Sequence, residues 1–183
     1  MDTLEGHLLL ASPELQDPNF FHSVVLLLRH NDEGAFGLVL NRPLQVRLHD
    51  IWQQISSTPA QRNDLVFLGG PCEGPLMALH DDPTLSESEG TRGIHFCSDR
   101  DLLTQLAAAP ERQVKFFVGF SGWGPGQLEG ELDEGSWLTL PAVAANIFDA
   151  HDDLWDRVLR DVHGRQLLDR LHIRHVPPDL RMN

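Results

Sequence analysis

The sequence predicts an α+β protein with a strongly bent, mostly antiparallel sheet and helices packed against it. Many short apolar segments bounded by glycine or proline are typical of strands, and the helical segments are grouped rather than alternating with the strands. Residues 23–30 and 35–41 flank the turn sequence Asn-Asp-Glu-Gly, which predicts a hairpin. A length of 183 residues favours a single domain spanning residues 1–183.

The other predicted strands follow the remaining apolar segments in chain order. Pro43 is expected to end the hairpin, and residues 81–92 are expected to form a solvent-facing loop. The further strands are residues 7–11, 64–71, 75–80, 93–98, 114–120 and 136–141.

Five segments have helical patterns. Residues 48–56 place apolar side chains at helical spacing, and residues 99–109 follow the capping candidates Ser98 and Asp99 and stop at Pro110. Gln127 to Asp133 predicts a short helix. The last two helices are residues 141–150, with Pro141 at the first helical position, and residues 152–163, with Gly164 as the stop signal.

The composition argues against several classes of partner. The formal charge is −13, from 27 acidic and 14 basic residues, whereas proteins that bind nucleic acid directly or lie on acidic membranes carry a basic surface. No signal-peptide pattern is present, and the apolar run Val24–Leu28 is too short to span a bilayer. We therefore expect a cytoplasmic protein. Cys72 and Cys97 are expected to be packed thiols rather than a disulfide framework.

The glycine-rich segment, residues 116–132 with the sequence FFVGFSGWGPGQLEGEL, has the strongest chemical pattern. It approaches the nucleophile elbow G-x-S-x-G around Ser121, but Trp123 replaces the last glycine. Its glycines also suit an anion cradle, although a Walker lysine is absent and the acidic residues that follow would repel an anion. The interpretation that we favour is structural, with glycine and proline forming a turn around a packed Trp123.

Metal ligands are a weaker alternative. The acidic run at residues 129–134 offers carboxylates to a cation without the ligand order of a calcium loop. The sequence HIRH at residues 172–175 has two histidines three positions apart, but two prolines follow it. Five histidines lie on or beside predicted strands and would form a metal site only if the fold places their side chains close together: His7, His22, His30, His80 and His95. We predict no metal and no cofactor.

Three motifs, in order and spacing, resemble the YqgE/AlgH family of bacterial proteins: HNDEGAFGLVLNRP, LGGPCEGPLMALH and FVGFSGWGPGQLEGEL. The resemblance covers residues 4–160 and implies a partial barrel, no assigned enzymatic activity, no catalytic residues and a label of transcriptional regulator. The family usually has alanine where this chain has Ser121, which argues against a serine nucleophile. The matching positions are proposed as a binding surface: Asn41, Pro43, Gly69, Gly70, Ser121, Gly122, Trp123, Gly124, Pro125, Gly126, Gln127 and Glu129.

The sequence thus favours a non-catalytic binding or regulatory protein that affects transcription indirectly and has an unidentified protein or small-molecule partner. Trp123 is the side chain expected to stack on that partner. The alternatives are a regulator that binds DNA directly and a small-molecule hydrolase that uses Ser121 and Glu129. The sequence does not indicate an oligomeric state.

Overall fold

The protein is an α+β fold built on a curled, mostly antiparallel half barrel, as the sequence predicts. The computed structural model describes residues 3–148 and 153–170, the last five by backbone alone. The strands are β1 (His7–Ala11), β2 (Val24–Asn31), β3 (Gly34–Val39), β4 (Pro43–Arg47), β5 (Leu65–Leu68), β6 (Cys72–His80), β7 (Ser88–Thr91), β8 (Ile94–Cys97), β9 (Val114–Trp123) and β10 (Trp137–Pro141). The helices are α1 (Leu48–Trp52), α2 (Arg100–Ala107), α3 (Gln127–Asp133), α4 (Ala144–Phe148) and α5 (Leu154–Arg170).

The long strand β9 is the centre of the sheet. The sheet runs in the order β10-β1-β2-β3-β9-β6-β8-β7, and β4 joins it through β5. The end of β9 pairs with β3, its start pairs in parallel with β5, and its other edge pairs with β6. All the other strand pairs that the structure describes are antiparallel.

The sheet curls until β7 approaches β2. A Cβ atom at Gly90 would lie 2.3 Å from Leu28 Cδ2, so the two strands pack more closely than a side chain allows. The enclosed face carries the largest apolar cluster, with Leu26, Leu38 and Phe117 among its buried members. Helices α4 and α5 cover one end, and Trp155 anchors α5 through a 2.9 Å hydrogen bond to Ala11 O.

Two apolar clusters cover the outer face of the sheet. One gathers α1 and α2 around Phe116, and the other gathers α3 around Trp123 and Trp137. Asp99 caps α2 as predicted, because its side chain accepts hydrogen bonds from the backbone of Asp101 and Leu102. No described helix is long and apolar enough to cross a membrane.

Several predicted boundaries are wrong. The hairpin ends before Pro43, but Pro43 then begins the unpredicted strand β4, since a strand tolerates proline at its first residue. Strand β7 lies inside the predicted loop of residues 81–92. Helix α1 ends at Trp52, and Pro141 ends β10 instead of opening a helix. Helix α5 continues past Gly164, since one glycine weakens a helix by only about 1 kcal/mol.

Candidate functional site

The glycine-rich segment forms most of β9, a tight turn and most of α3. Ser121, Gly122 and Trp123 extend β9 beyond its predicted end at residue 120, because they pair with β3. Helix α3 covers the predicted residues and follows Gly126, whose φ of 73° lies in the left-handed region that favours glycine.

Ser121 is fully buried beneath the chain that follows β5. Its hydroxyl donates a hydrogen bond to the carbonyl of Gly69 at 3.1 Å, and no histidine is among its partners in the described residues. A Cβ atom at Gly69 would lie 2.3 Å from Gly119 O, and one at Gly70 would lie 2.4 Å from Ser121 Oγ. These residues therefore serve a close backbone crossing.

Trp123 is buried in an arrangement that we call the indole clamp: Trp123, Glu131 and Trp137. Both indole nitrogens donate to Glu131 Oε2, at 2.9 Å from Trp123 and 2.8 Å from Trp137. Phe20 packs on both rings, with centroid distances of 5.9 and 5.3 Å. Because Trp123 is only 5% exposed, its ring is not available to stack on a ligand in this conformation.

The turn before α3 is closed by Gln127. Its Oε1 accepts a hydrogen bond from the backbone N–H of Gly124 at 3.1 Å, and its Nε2 donates to Glu131 Oε1 at 2.9 Å. Gly124, Pro125, Gly126 and Gln127 are all exposed. Their binding role stays a prediction, and their contacts connect the turn to the indole clamp.

Glu129 is joined to a histidine of β2. His30 Nε2 lies 2.9 Å from Glu129 Oε1, and Leu4 N–H donates to His30 Nδ1 at 3.0 Å. Because Nδ1 accepts, Nε2 carries the proton and donates it to the carboxylate. The backbone N–H of Glu129 itself, and then His30, lower the pKa of the carboxyl group. Ser121 and Glu129 thus have separate partners and form no catalytic pair.

Asn41 holds the turn before β2. Its Oδ1 accepts a hydrogen bond from Val24 N–H at 3.0 Å, and its Nδ2 donates to His22 O at 2.8 Å. His22 has a φ of 52°, which is uncommon for a residue with a side chain. Asn41 therefore satisfies backbone groups around this turn, while Pro43 is exposed at the start of β4.

The mouth of the half barrel is the better candidate for a binding site, and we define it by Leu28, Phe36, Phe96 and Phe120. The ring of Phe36 lies 5.3 Å from Phe120 and 5.8 Å from Phe96, and all three rings are partly exposed. The cavity beside these rings measures about 430 Å³ and is lined by Glu5, Leu28, Arg29, Phe36, Ser88 and Phe96.

Two residues of the glycine-rich segment, Phe120 and Gly122, reach the mouth. Gly122 pairs with Phe36, and a Cβ atom there would lie 3.2 Å from the ring of Phe120. Sequence reasoning missed Phe36 and Phe96. The available signal was the alternation within each strand, since Phe36 and Leu38 share the inward face of β3. The curl that brings β3 and β8 together is not visible in the sequence.

The structure brings two of the strand histidines together. His80 and His95 are paired between β6 and β8 with ring centroids 5.9 Å apart, and desolvation lowers the pKa of His80. His30 binds Glu129 instead, and His22 stacks on Trp155. Within residues 3–148 and 153–170, no group of three or more His, Cys, Asp or Glu side chains is placed to hold a metal. Residues 172–175 lie outside the described residues.

The two cysteines are free thiols. Burial raises the pKa of the Cys97 thiol to about 12, so it is protonated at neutral pH. Cys72 is half-buried opposite Phe120 in the β6–β9 pairing.

A family model described as AlgH-like matches residues 8–166. A UPF0301 protein of Myxococcus xanthus is 39% identical over 166 residues, which cover 87% of this chain and 91% of that protein. A UPF0301 protein of Streptomyces coelicolor is 35% identical over 195 aligned positions, covering 100% of this chain and 97% of that protein.

Two solved structures have the same fold. The AlgH protein of Pseudomonas aeruginosa gives a TM-score of 0.75 at 32% identity and covers 96% of each chain. The protein DIP2367 of Corynebacterium diphtheriae gives 0.70 at 19% identity, covering 88% of this chain and 87% of that chain, which is a likeness of fold alone.

Proposed function

This chain belongs to the AlgH-like family, and we propose that it is a non-catalytic binding protein that holds a small ring-bearing molecule at the mouth of its half barrel. The observation that carries this proposal is the group of three partly exposed phenylalanine rings beside a cavity of about 430 Å³. This volume lies within the range of roughly 300 to 1,000 Å³ that is typical of small-molecule sites.

The chemistry of the mouth suits a flat apolar ligand with one anionic group. Phe36, Phe96 and Phe120 offer ring faces and edges on which a planar molecule packs. Arg29 lies on the rim, is exposed and forms none of the ion pairs that the structure describes, so it is available to an anion. Glu5 on the same rim disfavours a ligand that carries several negative charges.

The glycine-rich segment supports the mouth from behind. Gly122 keeps one wall free of a side chain, while the indole clamp holds the end of β9 through Trp123. In this proposal the family signature is the frame of a binding site, and its exposed turn at residues 124–127 is a second contact surface.

We place this activity in the cytoplasm, with any effect on transcription transmitted through the ligand or a protein partner. Direct DNA binding is the alternative, and the −13 charge argues against it. A gel shift with a salt titration separates the two, because direct binding to phosphates weakens steeply as salt rises. Hydrolysis by Ser121 and Glu129 lacks support, since Ser121 is buried and bonded to Gly69 O.

The proposal is tested with the anionic aromatic dye 8-anilinonaphthalene-1-sulfonate, followed by fluorescence and by NMR shifts of the folded protein. We expect saturable binding that shifts the mouth resonances, a several-fold loss with Phe96→Ala and a smaller loss with Arg29→Gln. The controls are Phe21→Ala, which alters a phenylalanine 51% exposed outside the mouth, and Arg160→Gln on α5.

Near-UV circular dichroism must show that each variant keeps its native packing, because this dye also binds partly unfolded chains. If the dye shifts only resonances outside the mouth, or if the mouth variants and controls bind it equally, the proposal is wrong.

A further inference from the structure

The single lysine of the chain lies in a second cavity, separate from the mouth. Lys115 is near the start of β9 and only 5% exposed. It pairs with Leu79, a member of the enclosed apolar cluster, so its side chain points to the inner face of the sheet. Its stem therefore lies in an apolar environment, where a charged amine is costly.

The partners of the amine are weak for a buried cation. Nζ donates a hydrogen bond of 3.3 Å to Ile147 O and lies 3.9 Å from the centroid of the Phe67 ring. In the described part of the chain, no carboxylate forms an ion pair with it. Desolvation lowers the pKa of Lys115 to about 7, so a large fraction of the amine is neutral at physiological pH. A neutral amine has a free electron pair and is a nucleophile.

The cavity next to this amine is small and carries positive charge. It measures about 340 Å³ and is lined by Arg62, Asp64, Leu65, Phe67, Arg112, Gln113, Val114, Lys115 and Phe148. Its volume lies at the lower end of the range of roughly 300 to 1,000 Å³ that is typical of small-molecule sites.

The two arginines of this cavity differ in how many of their N–H groups remain free for a ligand. Arg62 binds both oxygens of Asp64 and two backbone carbonyls, so nearly all of its donors are used. Arg112 is exposed, and its described ion pair is a single contact with Asp82 at 2.9 Å. Arg112 thus retains N–H groups for a carboxylate.

From this arrangement we infer that the cavity binds a small 2-oxo acid and that Lys115 condenses with its carbonyl group. The Nζ electron pair attacks the carbonyl carbon and a C–N bond forms. The two protons of the neutral amine leave with the carbonyl oxygen as water, which gives a C=N bond without oxidation or reduction. The guanidinium of Arg112 pairs with the carboxylate of the bound acid.

The test is reductive trapping of the full-length protein with glyoxylate and sodium borohydride, read by peptide mass spectrometry. Because the chain has one lysine, the N-terminal amine is the only other amine and lies on a different peptide. At pH 7 we expect Lys115 to be labelled at least about tenfold more in the folded protein than in urea, since an ordinary lysine is almost fully protonated there. Labelling should rise between pH 6 and pH 8.

Two further comparisons define the carboxylate site. Arg112→Gln should reduce trapping of glyoxylate and leave trapping of propionaldehyde, which has no carboxylate, unchanged. Equal effects on both compounds overturn the role of Arg112. If the folded protein labels Lys115 no faster than the unfolded chain, the amine has only the structural role of holding α4, and the inference fails. This comparison uses the natural chain and does not depend on whether a Lys115 variant folds.

Discussion

The indole clamp and the Lys115 cavity satisfy their polar groups in opposite ways. In the clamp, one carboxylate receives two indole N–H groups at 2.9 and 2.8 Å, and Gln127 occupies its second oxygen. In the cavity, a buried amine has one 3.3 Å hydrogen bond and an aromatic ring. A polar group that is fully paired inside the protein supports structure, whereas an under-paired one in a cavity is available to a ligand.

The contrast also shows that the residues with the most distinctive sequence pattern are not the ones whose polar groups remain available to a ligand. The glycine-rich segment is the most distinctive part of the chain, yet its tryptophan and serine are buried and bonded internally. Lys115 lies in an ordinary strand pattern, and only its burial in the folded protein lowers the pKa of its amine. The distinctive glycines of this segment are therefore explained by close backbone contacts that leave no space for a side chain.

The largest expected effect comes from Gly69→Ala, which alters the backbone crossing over Ser121 and Gly119 of the glycine-rich segment. The added Cβ would lie 2.3 Å from Gly119 O, so the crossing over β9 must open, and we expect a loss of about 3 kcal/mol or more, or failure to fold. Gly130→Ala is the control, because a Cβ there meets nothing within 4 Å and the residue lies inside α3. That variant should be unchanged or up to about 1 kcal/mol more stable in urea unfolding. Equal stability of the two variants would contradict the crossing.

The Lys115 cavity is tested by measuring how the free energy of unfolding depends on pH in the wild type and in Lys115→Met. The pKa of Lys115 is about 7 in the folded state and near 10.5 in the unfolded chain, so the unfolded chain binds more protons between these values. The wild type should therefore gain stability over Lys115→Met from pH 7 towards pH 10, by on the order of 1 kcal/mol per pH unit. Below pH 7 the difference should level off at its least favourable value for the wild type.

The comparison cancels the groups that both proteins share, including Cys97, whose raised pKa of about 12 also gives a pH dependence. Urea unfolding at each pH gives the required free energies. A difference that does not change with pH would mean that the amine is not desolvated in the folded protein.

The smallest expected effect comes from opening the indole clamp with Glu131→Ala. Two hydrogen bonds to a charged acceptor are lost and the indole nitrogens are left poorly paired, which should lower the unfolding free energy by about 2 kcal/mol. Tryptophan fluorescence in a urea titration reports the change directly. Glu134→Ala, which alters an exposed carboxylate at the end of the same helix, should change stability by less than about 0.5 kcal/mol. If the two variants behave alike, the clamp contributes little.

Part of the fold was predictable because it depends on neighbouring residues. The hairpin of β2 and β3, the Asp99 cap and helix α3 follow from local turn, capping and periodicity rules. The short strand β7 was missed because Ser88–Thr91 is polar and glycine-containing, and only its pairing with β8 makes it a strand.

The candidate sites were less predictable than the fold. The sequence predicted a packed Trp123, but the strands and the helix that bury it and Ser121 are set by the fold. Phe36 and Phe96 are 60 positions apart in the printed sequence, and the curl of the sheet brings their rings to 5.8 Å. The residues next to Lys115 in the sequence do not predict that its amine contacts the ring of Phe67 and the carbonyl of Ile147.

The sequence by itself determined the fold class, the family and the demand for glycine along one backbone path. These properties depend on local periodicity, turn chemistry and the spacing of motifs, which can all be read directly from the order of the residues. The tertiary structure alone decided which side chains are exposed, which polar groups are paired and where cavities lie. Burial and the resulting pKa changes arise from long-range contacts, so the mouth and the Lys115 cavity exist only once the sheet has curled.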